Sequence, residues 1–343
     1  MLVRGTVHLT LYVPGLFGPE AAYSSELVPR APCLEILLGR ADRRERPRRG
    51  HHETLAGLFG LAADEIPVAA LMRHAGHASV DGYWMRADPV YLAADQRGLV
   101  LAGTGGMALE EEEAAALAAE LAPLFDGMGA TLHRDSPGDW YLHVASPPAI
   151  STSEPDAARG RDLLELLPRG PDAARWHRLL NEIQMSLHAS AVNRRREQLG
   201  KPPVNSLWFW GGGALPREAL PRRWSCVAGE GAFIEGLARL ARTPHVALPG
   251  NAVSLSAGAG DTVLAVPDVL LDPAARGDLE GWSRGVQALE RDWFAPCRQL
   301  LRKNVLGRLT IVTDRFAFSL SRAGALRFWR RALPLTRFAR GAH

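Results

Sequence analysis

Apolar and polar residues alternate through the opening stretch MLVRGTVHLTLYVPGLFG, and this period of two predicts a strand over residues 4–14. Pro14, Gly15 and Gly18 then form a turn-rich connection of the kind found at the carboxyl end of a strand, where open α/β sheets place their ligands. The stretch RADRRERPRRG at 40–50 has no apolar period and reads as a solvated charged loop. Beyond Tyr83 come two short strand patterns, WMRADPVYL and LVLAG, then a helix over Met107–Leu124, then a strand, WYLHVAS. The helix carries Leu109, Leu117, Leu121 and Leu124 among alanines, and Glu110 to Glu113 crowd its opening turns, where the helix dipole favours carboxylates.

A second helix is predicted over Pro171–Ser190, with Trp176, Leu180, Ile183 and Leu187 as its buried stripe. Asn181, Gln184 and His188 line up on a different face, which is either a ligand-facing strip or a solvent-exposed or interdomain one. After Pro202 and Pro203, the continuous apolar run VNSLWFWGGG predicts a strand covered on both faces, as in a parallel sheet. The order then continues with a helix near 231–242, a strand HVALP, a glycine-rich SAGAGDT, a strand AVPDVLL, a long helix over 279–303 and a strand RLTIVTD. Such alternation predicts a parallel sheet with helices on both faces. The tail FAFSLSRAGALRFWRRALP adds a last strand and a basic, aromatic end.

A length of 343 residues fits one large core plus a second or inserted domain, and 47% hydrophobic with 22% charged residues is ordinary globular composition. No apolar run reaches the roughly 18 residues that a membrane span needs. The first residues read as a strand and not as a signal peptide. Cys33, Cys226 and Cys297 are odd in number and far apart, which argues for a reducing compartment and a soluble cytoplasmic protein. The pI near 9.0 raises the question of nucleic acid, but the formal excess is only +3. Arg43, Arg44, Arg48 and Arg49 are interrupted by acidic residues and have no interleaved aromatic side chains for stacking, which disfavours that partner.

The most specific motif is HASAVNRRREQLGKPPVNSLWFWGGG. Its order and spacing resemble the His, Pro, hydrophobe, Asn, Arg, Gly-Lys-Pro-Pro, Asn and glycine-ended strand of the archaeal-type cofactor-independent phosphoglycerate mutases, members of the alkaline phosphatase superfamily. RAPCLEILL, ETLAGLFGL, WMRADPV, SAGAGDT and LLDPAARGD are similar to further family segments and fall in family order. The resemblance implies an α/β fold with an alkaline-phosphatase-like, mostly parallel sheet, helices on both faces and an inserted smaller α+β domain. It places the core in residues 1–80 and 204–343, and a domain similar to the mutase substrate domain in 81–203. Asn205 to Gly213, read as Asn-Ser-x-Trp-x-Trp-Gly-Gly-Gly, looks closer still to a bacterial RpfE-like group of regulatory proteins, which has no established chemistry to carry over.

In the mutases, two divalent metals held by aspartates and histidines activate a serine and neutralise charge on the phosphoryl oxygens. Here Pro14 stands near the place of the first aspartate, and His52 precedes Glu53 and Thr54 where the serine precedes Asp-Thr. Asp272 and Asp314 remain at family positions, but Gly277 is followed by Asp278 and Asp314 by Arg315 where histidines are expected. Arginine beside a vacated metal position supplies positive charge without an ion, so Arg315 is a candidate anion ligand. Arg86, Asn193 and Arg196 fall on positions resembling the substrate-side residues; the alternatives are that Asn193 caps the helix beginning beside it and that Arg196 is solvated. His51, His52, His74 and His77 include a spacing that suits metal on one helical turn, although nearby glycines favour a loop. The resemblance thus implies a degenerate mutase-like protein without metal, regulatory or scaffolding in role, whose partners are a phosphorylated small molecule and a protein, with no membrane. The alternative is an active phosphomutase or phosphatase with manganese or zinc in a rearranged site of Asp272, Asp278, Asp314 and His52.

Overall fold

The computed structural model describes residues 6–19, 28–61, 66–76, 80–95, 98–103, 107–155, 165–255, 258 and 261–339. Its strands are β1 (Val7–Tyr12), β2 (Asp42–Glu45), β3 (Tyr83–Asp95), β4 (Gly98–Gly103), β5 (Ala130–Arg134), β6 (Trp140–Val144), β7 (Ser206–Ala214), β8 (Cys226–Gly229), β9 (His245–Val246), β10 (Thr262–Val266), β11 (Leu306–Val312) and β12 (Phe316–Ser321). The helices are α1 (Pro32–Arg40), α2 (His51–Phe59), α3 (Val68–Gly76), α4 (Glu111–Leu121), α5 (Ala173–Ala189), α6 (Ala191–Gln198), α7 (Ala232–Leu240), α8 (Leu271–Arg276), α9 (Leu279–Leu289), α10 (Ala295–Arg302), α11 (Arg322–Ala325) and α12 (Leu335–Ala339). They form two compact units, Met1–Ala62 with Ala219–His343, and Ala63–Glu218.

The first unit is built on a sheet ordered β2-β12-β11-β1-β10-β8-β9. Strands β11, β1, β10, β8 and β9 run parallel, β12 is antiparallel to β11, and β2 pairs antiparallel with β12. Leu9 and Leu11 of β1 and Leu309 and Ile311 of β11 bury one face against Leu34 and Leu38 of α1 and Phe294. Ala31 offers α1 no side-chain cap, and the open N–H groups of Cys33 and Leu34 are taken by the carboxylate of Glu290, at 2.6 and 3.0 Å. Glu290 opens a π-helical turn, Glu290–Phe294, between α9 and α10, so the long helix expected over 279–303 exists with that bulge in it. AVPDVLL is a strand only at its first two residues: β10 stops at Val266 and Pro267 leads into a turn before α8. RADRRERPRRG is not wholly a loop, because Asp42–Glu45 hydrogen-bonds along β12 as an edge strand with its side chains in solvent.

The second unit is an antiparallel sheet ordered β4-β3-β6-β5, with β7 also on β3. Its core gathers Trp176, Ile183 and Leu187 of α5, Leu117 and Leu121 of α4, and Leu207 and Phe209 of β7. The apolar run in β7 is covered on both faces as expected, but the strand is antiparallel and belongs to this sheet, with Asp88 opposite Trp208. Trp208 and Trp210 point the other way and donate their indole N–H groups to the Ser153 carbonyl (2.8 Å) and to Asp88 Oδ2 (2.6 Å). At Gly211, φ is +61° and a Cβ would lie 2.8 Å from Val68 Cβ, so glycine is what lets α3 approach the sheet. This packing moves the unit boundaries to 62/63 and 218/219: α3 and β7, expected in the core domain, sit with the second unit.

Candidate functional site

At the carboxyl end of the parallel sheet, β1 ends in the fully buried Tyr12, whose hydroxyl lies 3.5 Å from Asp314 Oδ1 and 3.4 Å from the His51 carbonyl oxygen. Asp314 follows β11; its Oδ2 accepts from the Gly15 N–H at 3.3 Å. The Gly15 carbonyl is in turn held by the Trp282 indole N–H at 3.0 Å, so the loop after β1 is tied down on both sides. Burial pushes the Asp314 carboxyl above its ordinary range, opposed by the Gly15 N–H, the Tyr12 hydroxyl and the charge of Arg48. Burial, helped by Asp314, likewise pushes the Tyr12 phenol up. His51 stacks on Tyr12 with ring centroids 5.6 Å apart and meets His52 edge-on at 5.1 Å. Burial, with a smaller contribution from His52, drives His51 down to about 3, so it is neutral at physiological pH; its Nδ1 is buried without a hydrogen-bond partner. His52 packs edge-on against Phe233 at 4.7 Å.

The positive charge at this end comes from a different place than expected. Arg315 turns outward, half-exposed, and binds Glu45 Oε1 through Nε and Nη2 at 3.0 and 2.8 Å. The cause is the turn after β11, where the Thr313 hydroxyl accepts from the Phe316 N–H (3.0 Å) and the Arg315 N–H (3.4 Å), sending Asp314 and Arg315 to different environments. Main-chain bonds from Arg46 N to the Arg315 carbonyl (2.7 Å) and from Arg49 N to the Asp314 carbonyl (3.4 Å) lay the arginine segment along that turn. Arg46 is close enough to Tyr12 for each to feel the other's charge, and its Nη1 is buried with no hydrogen-bond partner.

Asp272 and Asp278 are otherwise employed. Asp272 is exposed on α8 and pairs with Arg276 at 2.9 Å, and Asp278 caps α9 by accepting from the Gly281 N–H at 2.9 Å. The carboxylate that follows β10 is Asp268, which the reading of AVPDVLL as a strand concealed. Burial and then the charge of Glu230, just beyond β8, push its pKa up. Among the described residues no three His, Cys, Asp or Glu side chains converge to hold a metal ion. Asp272, Asp278, Asp314 and His52 are thus not gathered as one donor set among the described residues.

The other candidate ligands are bound to protein groups. Arg86 bonds Asp88 (2.8 Å), Asp139 (2.9 Å) and the Gly138 carbonyl (3.2 Å) over the Tyr141 ring. Arg196, far from solvated, is wholly buried, with Glu113 at 2.5 Å, the Met107 carbonyl at 2.6 Å and the Pro202 carbonyl at 3.1 Å. Asn193 does not cap α6, a role taken by Ser190, but bridges the Leu187 and Val204 main chain with both ends of its amide. Of the remaining candidates, Asn181 and Gln184 line a cavity of about 320 Å³ in the second unit while His188 is simply exposed. His74 belongs to α3 of that same unit, His51 and His52 belong to α2 of the first, and His77 lies outside the described residues, as does most of SAGAGDT.

No protein-family model matches the sequence. Over 96 residues the chain is 35% identical to a probable 2,3-bisphosphoglycerate-independent phosphoglycerate mutase of Geobacter sulfurreducens, covering 27% of this chain and 24% of that protein. Over 174 residues it is 28% identical to the 2,3-bisphosphoglycerate-independent phosphoglycerate mutase of Pyrobaculum neutrophilum, covering 46% and 42%. The matched stretches thus span less than half the length of these relatives. The PH0037 protein of Pyrococcus horikoshii shares the fold, with a TM-score of 0.54 over 93% of this chain and 88% of that one at 14% identity. In class, this is a mixed α/β protein with a mostly parallel central sheet and a separate antiparallel sheet. Within that class its partial homology is to the cofactor-independent phosphoglycerate mutases.

Proposed function

We propose that the protein is a degenerate relative of these mutases that binds a phosphorylated small acid at the carboxyl end of its parallel sheet without turning it over, in a regulatory or scaffolding role. The observation that carries this reading is the buried, unpartnered Nη1 of Arg46 beside Tyr12. A buried donor left unmet costs about 1–3 kcal/mol, and a phosphate or carboxylate oxygen supplies the missing acceptor. The amino end of α2 opens at the same place, its His51 carbonyl within reach of Tyr12, and a helix amino end favours an anion. What supports binding without turnover is the donor set: Asp314 is tied to Tyr12 and Gly15, with no cluster of metal ligands among the described residues.

Thermal shift with phosphoglycerates, inorganic phosphate and unphosphorylated glycerate tests the proposal. The phosphorylated acids raise the Tm, by the equivalent of about 2.7 kcal/mol at a hundredfold excess over Kd, and glycerate does not. Arg46→Met abolishes the response. With manganese or zinc added, mutase and phosphate-ester hydrolysis rates stay at background. Metal-dependent turnover lost in Asp314→Ala would instead establish an active phosphomutase or phosphatase, and absence of any response to phosphorylated acids would refute the binding site.

A further inference from the structure

A groove of about 460 Å³ crosses the first unit between α1, α10 and the segment that follows β12. Its floor is apolar, formed by the almost fully buried Leu37, Leu301 and Leu320. Its walls are basic: Arg40, Arg298, Arg302 and Arg322 line it, and no carboxylate does. Arg40 donates to the Ala325 carbonyl at 2.6 Å and Arg298 Nη1 lies 3.9 Å from Cys33 Sγ, so neither has its charge neutralised by these contacts. Arg302 and Arg322 are exposed and have no bonded partner among the described residues. Along one lip, Leu326 and Phe328 are 69% and 80% exposed, and Trp329, edge-on to Phe328 at 5.3 Å, is 67% exposed. The neighbouring Arg327 and Arg330, by contrast, are paired with Asp42.

Contiguous exposed apolar side chains on a folded surface mark an interaction site. An apolar floor walled by four uncompensated cations specifies the partner's chemistry: apolar anchors on one face and carboxylates beside them, the helix-in-groove mode of recognition. We propose that this groove docks an acidic amphipathic helix of a partner protein, with its anchors on Leu37, Leu301 and Leu320 and its carboxylates on the four arginines. A lipid surface would meet the projecting Phe328 and Trp329 but would leave the recessed floor empty. The proposal does not rest on the anion site at the sheet end, and its test uses a different ligand.

The experiment is fluorescence anisotropy of a labelled helical peptide with leucines at alternating third and fourth positions and glutamates elsewhere, titrated with the full chain. A twin peptide with lysine in place of glutamate is the control. The glutamate peptide binds and the lysine twin does not, and affinity falls as salt is raised from about 50 to about 500 mM. Arg302→Glu with Arg322→Glu weakens binding by about tenfold or more while the Tm and the response to phosphoglycerate stay unchanged. Because both residues are exposed, the double variant folds, which circular dichroism verifies. Equal affinity for the two peptides, binding that survives the double variant, or failure of the glutamate peptide to bind overturns the proposal. So does stronger capture by vesicles of about three parts phosphatidylcholine to one part phosphatidylglycerol, with a blue-shifted tryptophan emission, which would assign the surface to a membrane.

Discussion

A guanidinium taken out of water is stable only where carboxylates and carbonyls replace the lost hydration. Arg86 and Arg196 meet that condition with internal partners, and Arg46 does not at Nη1; the same side-chain chemistry thus serves architecture at two positions and leaves one donor unmet at the third. His51 is the neutral counterpart. Its pKa, about 3 in the folded chain against an ordinary 6.5, means that the unfolded chain binds the extra proton between those values. Stability therefore falls as pH drops below about 6.5, by up to about 1.4 kcal/mol per pH unit from this one group. Urea midpoints at pH 7 and pH 5 should separate in the native protein and converge in His51→Asn; equal separation in both would show that His51 is not held neutral by burial. Arg86, Asn193 and Arg196 were visible in the sequence as special residues. Their employment was not, because a motif records that a side chain is needed and not whether it serves a ligand or the main chain next to it.

At the scale of elements, apolar periodicity located α5, α7, β1 and β11 well, since each presents one face to a core. The run in β7 was harder to read. Continuous apolar character reports that both faces of a strand are covered, which parallel and antiparallel partners can do equally, so its direction was decided by pairing with β3. The edge strand β2 carries no pattern at all, because a strand whose side chains are all in solvent needs none. The glycines near the end of β7 are testable as spacers. Gly211→Ala should cost about 1–3 kcal/mol, part from the left-handed φ and part from contact with Val68. Thermal unfolding of Gly211→Ala with Val68→Gly alongside the single variants should show the pair losing less than the sum; strict additivity would mean that α3 is not held against β7 at this point.

At the scale of the whole molecule, the residues Ala63–Glu218 form one continuous segment with its own sheet and its own core, whereas the first unit is assembled from the two ends of the chain. A fragment spanning this segment should fold alone, with near-ultraviolet circular dichroism from its buried tryptophans and a cooperative melt. A fragment with helical signal but no near-ultraviolet band would show that its core is incomplete. The sequence by itself determined the alternation of strands and helices and the mixed α/β class, because these depend on local hydrophobic period and turn chemistry that every residue window carries; an inserted second domain was what the family resemblance implied. Only the tertiary structure decided where that domain begins and ends, that Arg46 and not Arg315 brings charge to Tyr12, and that Asp268 and not Asp272 follows β10 at the sheet end. These depend on which side of a turn a side chain leaves and on contacts between segments up to 302 residues apart, such as Tyr12 and Asp314, which no local pattern encodes.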